Sequence, residues 1–192
     1  MNDKAAVTTA AVAAEPGFAL FDTAIGTCAL AWSPRGLIGV QLPEESGAAA
    51  TRARMRRRFP DLPEAAPPES AQKAVAAIQA LLQGAPDDLG NIELDMSHVS
   101  EFHQRIYAIA RRIPPGQTRT YGEIAAELGD KGLSRAVGQA MGHNPFAPVV
   151  PCHRVLAAGN KPGGFSAGGG ALTKLRMLDI EGARPNGMAS LF

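Results

Sequence analysis

The sequence predicts an α+β chain: a small N-terminal α/β domain with an antiparallel sheet, then a mostly helical C-terminal domain containing a helix-turn-helix. Three observations carry this. Residues 18–22, 28–32 and 37–42 are short β-prone runs, separated by Ala24-Ile25-Gly26 and Ser33-Pro34-Arg35-Gly36, which is the turn chemistry of a meander. Beyond Ser100 the apolar residues switch to helical spacing, with Phe102, Ile106, Ile109 and Ile113 forming one stripe. Finally, Thr120-Tyr121-Gly122-Glu123 is a capping box opening one helix, and Ser134 is placed to cap a second after a four-residue turn. The 192 residues, 45% of them hydrophobic, suffice for cores of this size. The expected divisions are a disordered tail over 1–17, the N-terminal domain over 18–97 and the C-terminal domain over 98–192.

Between these landmarks the elements follow in order. Residues 51–59 carry Arg52, Arg54, Arg56, Arg57 and Arg58, expected as the solvated face of a short helix. A Pro/Glu/Ala linker spans 60–68. Ser70 is expected to cap a helix with Val75, Ile78 and Leu82 on one face, ended by Gly84. Residues 85–91 read as a loop, and 92–95 as the last strand of the first domain. Pro114-Pro115-Gly116 stops the helix that Ser100 opens, on which His103 is a surface residue. Gly129 ends the first helix of the helix-turn-helix. The second holds Ala136, Gly138, Ala140 and Gly142, small residues that let another surface approach closely, either a neighbouring helix or a nucleic-acid groove.

Composition narrows the function classes. No run is long enough to span a membrane. The Ala/Val/Thr-rich N-terminus lacks the basic and bulky apolar regions of a secretory signal. Cys28 and Cys152 are the only cysteines, and nothing marks them as a disulfide, so a reducing cytoplasm is expected. The overall charge of +1 divides unevenly. Residues 1–97 hold 8 Lys/Arg against 12 Asp/Glu, whereas residues 98–192 hold 11 against 6. The basic half is the one that carries the chemistry.

That chemistry is densest at Val149-Val150-Pro151-Cys152-His153-Arg154-Val155, which reads as a buried strand broken at a Pro. A Cys there is either core filler or a nucleophile. His153 and Arg154 place positive charge nearby, and positive charge draws a thiol toward its reactive thiolate. Adjacent residues on an extended strand point to opposite faces. Cys152 and His153 therefore cooperate only if the backbone turns at Pro151 or a water links them.

The run Pro-Cys-His-Arg-Val resembles the active-site motif of the 6-O-alkylguanine-DNA alkyltransferases, the methylated-DNA–protein-cysteine methyltransferases. Support lies on both sides, in residues 134–145, in the later Gly-rich stretch and in Glu181-Gly182; the resemblance spans about residues 98–184 and, more weakly, 18–42. It implies a DNA repair protein that irreversibly moves the alkyl group of 6-O-alkylguanine, or of 4-O-alkylthymine, onto Cys152. It would act as a single-turnover monomer without cofactor or metal, on double-stranded DNA. The alternative within this resemblance is a non-catalytic damage-sensing relative, but such proteins usually lack the cysteine. A Cys-His hydrolase ranks last, for no hydrolase motif surrounds Cys152.

Residue by residue, the resemblance makes Cys152 the acceptor, His153 the base acting through a water, and Glu181 its orienter, on a helix with Leu172, Leu175 and Leu178. Tyr121 and Ser166 would donate hydrogen bonds near the target base, and Tyr121 would also press on the adjacent phosphate. Backbone groups of Cys152 and Val155 would read guanine's other edge, and Met141 would pack beside it. Arg135 would fill the gap the flipped nucleotide leaves in the minor groove, on a helix whose Ser134, Ala136 and Gly138 face DNA. Asn144 and Arg154 would support the site structurally. Cys28 is expected in the core. One departure stands out: the loop Gly163-Gly164-Phe165-Ser166-Ala167-Gly168-Gly169-Gly170 has Phe where many relatives have Tyr, and about two extra residues after Ser166.

Overall fold

Two tight reversals fold residues 17–41 into a meander. A computed structural model of the protein describes residues 14–184. Strands β1 (Gly17–Thr23), β2 (Gly26–Ser33) and β3 (Gly36–Gln41) form an antiparallel sheet in that order. The register pairs Gly17 with Trp32 and Leu30 with Val40. Of the tail expected over 1–17, residues 1–13 lie outside the described residues and Gly17 already belongs to β1. Gly36 adopts a φ of 135°, and a Cβ there would come within 2.7 Å of the Glu93 carbonyl oxygen, so only glycine serves this turn.

The strand expected over 92–95 is reduced to a single parallel bridge between Leu37 and Leu94. Its two hydrogen bonds run from Leu37 N to Glu93 O (3.0 Å) and from Asp95 N to Leu37 O (2.8 Å). The chain then turns away because the Asp95 carboxylate accepts from Ser97 N (3.1 Å), an Asx turn, and from Ser33 Oγ (2.7 Å).

Helix α1 (Ala48–Arg58) buries Thr51 and Met55 against the sheet. Its arginines are not uniformly solvated. Arg56 and Arg57 are exposed, and Arg52 and Arg54 are half-buried in ion pairs with Glu64 (3.0 Å) and Glu44 (3.3 Å). Arg58 turns inward to donate to Val40 O (3.1 Å) and Pro145 O (3.3 Å), stacked on Phe59. Helix α2 (Glu69–Leu81) covers the sheet through Ala71, Ala74, Ile78 and Leu81. It begins one residue before the expected Ser70 cap: Pro68 occupies the N-cap without a side-chain bond, its fixed φ of −65° suiting a helix entrance.

Ser100 caps α3 (Glu101–Ala110), accepting from His103 N (3.3 Å). Ile106, Ile109 and Ile113 are buried, and Phe102 packs against them. The core of this half is continuous with that of the sheet, a single cluster running from Leu30 through Ile106 to Val150. Thr120 then opens α4 (Tyr121–Glu127) with both bonds of the capping box in place. Immediately before it, β4 (Arg119–Thr120) pairs in parallel with β5 (Val155–Leu156). This short ladder fixes the start of α4 beside the loop that carries Cys152.

Helix α5 (Ser134–Gly142) follows a turn at 131–133. Ser134 is its first helical residue rather than its cap. Its hydroxyl donates to Lys131 O (2.7 Å), and Leu133 takes the N-cap without a side-chain bond. The small residues of α5 divide between two neighbours. Ala140 is fully buried and its carbonyl accepts from the Tyr107 hydroxyl of α3 (2.9 Å). Gly138 faces Tyr121 of α4, whose ring lies 3.9 Å from where a Cβ would stand. No described helix is long and apolar enough to cross a membrane.

Candidate active site

Residues 149–150 are a turn rather than the expected strand, and the reason is Pro151. With φ −81° and ψ 66° it centres an inverse γ-turn, closed by Cys152 N to Val150 O (2.8 Å). Residues 152–154 continue as one 3-10 turn, with Arg154 N bonded to Pro151 O (2.9 Å). The backbone thus bends at Pro151, so Cys152 and His153 are not held on opposite faces of a strand. Asn144, just past α5, ties this loop down: Nδ2 donates to Val150 O (2.7 Å) while Oδ1 accepts from Phe146 N (2.9 Å).

Behind the loop lies a closed polar cluster. His153 is fully buried, and its Nε2 lies 2.8 Å from Glu181 Oε1. Arg154 grips both oxygens of the same carboxylate, from Nε (2.9 Å) and Nη2 (2.8 Å), and its Nη1 donates to Ile113 O (2.7 Å). Burial pushes the Glu181 carboxyl upward, but the bonds from His153 and Arg154 outweigh it and hold the group at about 2. Glu181 is therefore ionised, and Nε2 of His153 carries the proton that bonds it. The other ring nitrogen, Nδ1, is buried without a partner, a free lone pair inside the site. Burial lowers the His153 pKa, against the pull of Glu181, so the ring is neutral at physiological pH.

Burial raises the Cys152 thiol. The Asn144 side chain, the Lys174 ammonium and the backbone N–H groups of Cys152 and His153 all oppose that rise. At Cys28 burial, reinforced by the Asp22 charge and opposed only by the Thr23 hydroxyl, lifts the thiol to about 12, and no cation offsets it there.

Lys174 was not anticipated. It is fully buried on α6 (Gly170–Ile180), its Nζ donates to Val155 O (2.6 Å) and lies 5.9 Å above the rings of Tyr121 and Phe165. Burial lowers its pKa to about 8, and the neighbouring Cys152 pulls it back up. The stripe expected for this helix is also corrected: Leu172 is 67% exposed, and the buried face is Lys174, Met177 and Leu178. Their spacing runs on to Glu181, so the signal for Lys174 was present as a polar residue two turns before Glu181 on one helical face.

The remaining site residues distribute over two clefts. One, of about 260 Å³, is lined by Cys152, Asn144, Phe165 and Ser166. The other, of about 870 Å³, lies along the helix-turn-helix and is lined by Tyr121, Ser134, Arg135 and Gly138. Arg135 is exposed in the first turn of α5 and Ala136 is half-buried. Met141 lies in the core and lines neither cleft. The Val155 N–H bonds the Cys152 carbonyl, and the Val155 carbonyl accepts Lys174, so both backbone groups have partners.

Comparisons with known proteins identify what the chain is similar to. The family model described as 6-O-methylguanine DNA methyltransferase, DNA binding domain, matches residues 101–183. The methylated-DNA–protein-cysteine methyltransferase of Mycobacterium tuberculosis is 45% identical over 102 residues, covering 53% of this chain and 60% of that protein. The match thus spans about three-fifths of that relative's length. The corresponding protein of Methanothermobacter thermautotrophicus is 35% identical over 124 residues, 65% of this chain and 68% of that one. Among solved structures, M. tuberculosis OGT in complex with DNA superposes with a TM-score of 0.70 at 34% identity, covering 86% of this chain and 92% of that one.

Proposed function

The chain belongs to the 6-O-methylguanine-DNA methyltransferase family, and from that premise we propose that it repairs alkylated guanine in double-stranded DNA by transferring the alkyl group to Cys152. The observation that carries this is the buried relay: Glu181 fixes the proton on Nε2 of His153, leaving Nδ1 bare to accept one.

The Cys152 proton passes to His153 Nδ1 through a water, and the thiolate attacks the alkyl carbon. The S–C bond forms as the C–O bond breaks. The electron pair leaves on the guanine oxygen, and guanine takes a proton from a donor such as the Tyr121 hydroxyl or Ser166. The product is a thioether on the protein, so each molecule acts once. No metal or redox partner is needed to balance this step. Burial, then the nearby Cys152, raises the Tyr121 pKa, keeping that hydroxyl protonated as a donor.

The 6-oxygen of guanine cannot be reached inside a duplex, so the base must leave the stack. In this reading Arg135 fills its place, Tyr121 presses on the adjacent phosphate, and Ser134, Ala136 and Gly138 present the close-approach face of α5. Residues 98–192 carry binding and transfer while residues 18–97 support them, and the protein works as a cytoplasmic monomer. Arg135→Ala is expected to slow transfer from duplex 6-O-methylguanine by about tenfold to a hundredfold, the scale of an unstacking cost of a few kcal/mol. Transfer from the free base should be unchanged. Equal losses on both substrates would remove Arg135 from base extrusion.

A further inference from the structure

We propose that Arg58 of α1 is a positioning residue for the reaction, holding Asn144 against the Cys152 thiol from the other half of the chain. This names one residue through which residues 18–97 support the site, and it rests on the alkyl-transfer reading above.

Strand β3 lies at the edge of its sheet, and the segment after Asn144 meets that edge at Val40. Val40 N donates to Pro145 O (2.7 Å). Arg58 joins the same two groups a second time, from Nη1 to Val40 O (3.1 Å) and from Nη2 to Pro145 O (3.3 Å). Strand, loop and guanidinium thus close one ring of hydrogen bonds. A guanidinium suits this task because its planar fork reaches two carbonyls at once, and its charge strengthens each bond.

No carboxylate draws Arg58 inward. Its third bond goes to Gln41 Oε1 (3.4 Å), and among the described residues no ion pair involves it. Burial first, then repulsion from Arg54, lowers its pKa, so the fold holds this cation against a desolvation cost. Room for it comes from Gly39. A Cβ there would stand 2.7 Å from Arg58 Nη2 and 2.7 Å from the Phe59 ring on which the guanidinium is stacked. Glycine weakens a strand interior and marks a close approach, and what approaches here is Arg58.

Beyond Pro145 the bonds lead to the nucleophile. Asn144 is the preceding residue, and its Nδ2 donates to Val150 O (2.7 Å), the carbonyl that also accepts Cys152 N (2.8 Å). The Asn144 side chain bonds the Cys152 thiol as well and favours its thiolate. Arg58, Asn144, Pro145 and Cys152 line the same cleft of about 260 Å³. The guanidinium therefore fixes one end of a short rigid segment whose other end touches the sulfur.

The test is the pH dependence of Cys152 alkylation by iodoacetamide in the full chain, read by mass on the peptide that carries it. The midpoint of that profile reports how readily the thiol ionises, and the buried Cys28 reports any unfolding in the same digest. Arg58→Met is expected to move the midpoint up by about one pH unit, the scale of one weakened bond to a thiolate, and Arg58→Lys to move it less. Gly39→Ala keeps the cation but displaces it, and should move the midpoint in the same direction. Arg54→Gln removes a charge from the same cleft, one paired with Glu44 (3.3 Å) rather than with the loop, and should leave the midpoint in place. In an Asn144→Ala background, Arg58→Met should add no further shift. An unmoved midpoint in Arg58→Met, an equal shift in Arg54→Gln, or shifts that add in the double variant would each overturn the role. Methyl transfer from duplex 6-O-methylguanine tests the underlying reading separately. A wild-type protein that transfers nothing, with the midpoint shifts intact, would remove that reading and leave Arg58 as the holder of a reactive thiol.

Discussion

Glu181→Leu is expected to cost about 3–5 kcal/mol of stability and to abolish measurable transfer. The carboxylate is the shared partner of two fully buried groups, and deleting it strands Arg154 with a single carbonyl, Ile113 O, at 2.7 Å. His153 loses the acceptor that fixes its proton on Nε2 and so leaves Nδ1 bare. Stability and chemistry can be separated by the double variant Glu181→Leu/Arg154→Met. Removing both partners of a buried pair is often nearly neutral, so denaturant unfolding should recover most of the loss. Transfer should not recover, because the histidine remains unoriented. Recovery of transfer in the double variant would show that Glu181 matters only as Arg154's counter-ion.

The same cluster contributes to the acid limb of stability. The Glu181 carboxyl lies at about 2 in the folded protein against an ordinary value of 4.5. Its stabilisation, about 3 kcal/mol in scale, is therefore complete above 4.5 and is lost as pH falls toward 2. His153 acts in the same direction: its folded pKa is below the ordinary 6.5, so protonation in the unfolded chain begins to favour unfolding below that pH. Urea midpoints should fall from about pH 6.5 downward and most steeply below 4.5. In Glu181→Leu/Arg154→Met the lower part should be shallower, with the Asp95 carboxyl, also held against its burial well below its ordinary value by Ser97 and Ser33, supplying what remains.

Lys174→Met is expected to slow transfer about tenfold or more at neutral pH while leaving stability unchanged or higher. A buried ammonium with its pKa drawn from 10.5 to about 8 is still protonated at pH 7, and it is held there against a desolvation cost. Methionine fills similar space without that cost, partly offset by the lost bond to Val155 O (2.6 Å). What disappears is a positive charge that opposes the rise of the Cys152 thiol. The thiol pKa therefore moves up in the variant, and the rate should be regained on going to alkaline pH. In the wild-type protein Lys174 itself loses its charge above about 8, so the two pH profiles should converge there. An unshifted profile in the variant would show that Lys174 only braces Val155.

Local rules made much of this molecule legible. The meander, the Ser100 cap, the isoleucine stripe of α3 and the Thr120 capping box rest on interactions between residues a few positions apart, and the structure has them. Most of the failures are tertiary. The strand at 92–95 had suitable composition, but Asp95 found Ser33 and Ser97 and ended it after one bridge. The β-branched pair Val149-Val150 lost its strand to the γ-turn at Pro151. Arg58 shares the basic run that suggests a solvated face, but the carbonyls that draw it inward lie 18 and 87 residues away in the chain. A lysine on a helix is ordinarily solvated, and only the fold reveals that the face of Lys174 is shared with Glu181.

The most direct measurement is the intact mass of the protein after incubation with duplex DNA containing 6-O-methylguanine, beside a Cys152→Ala control. Replacement of the thiol hydrogen by one methyl group, in one-to-one stoichiometry with repaired guanine and absent from the control, is the result predicted from the Cys152–His153–Glu181 relay. An unchanged mass, with the lesion still bound in preference to ordinary guanine, would contradict alkyl transfer and leave a protein that recognises damage without removing it.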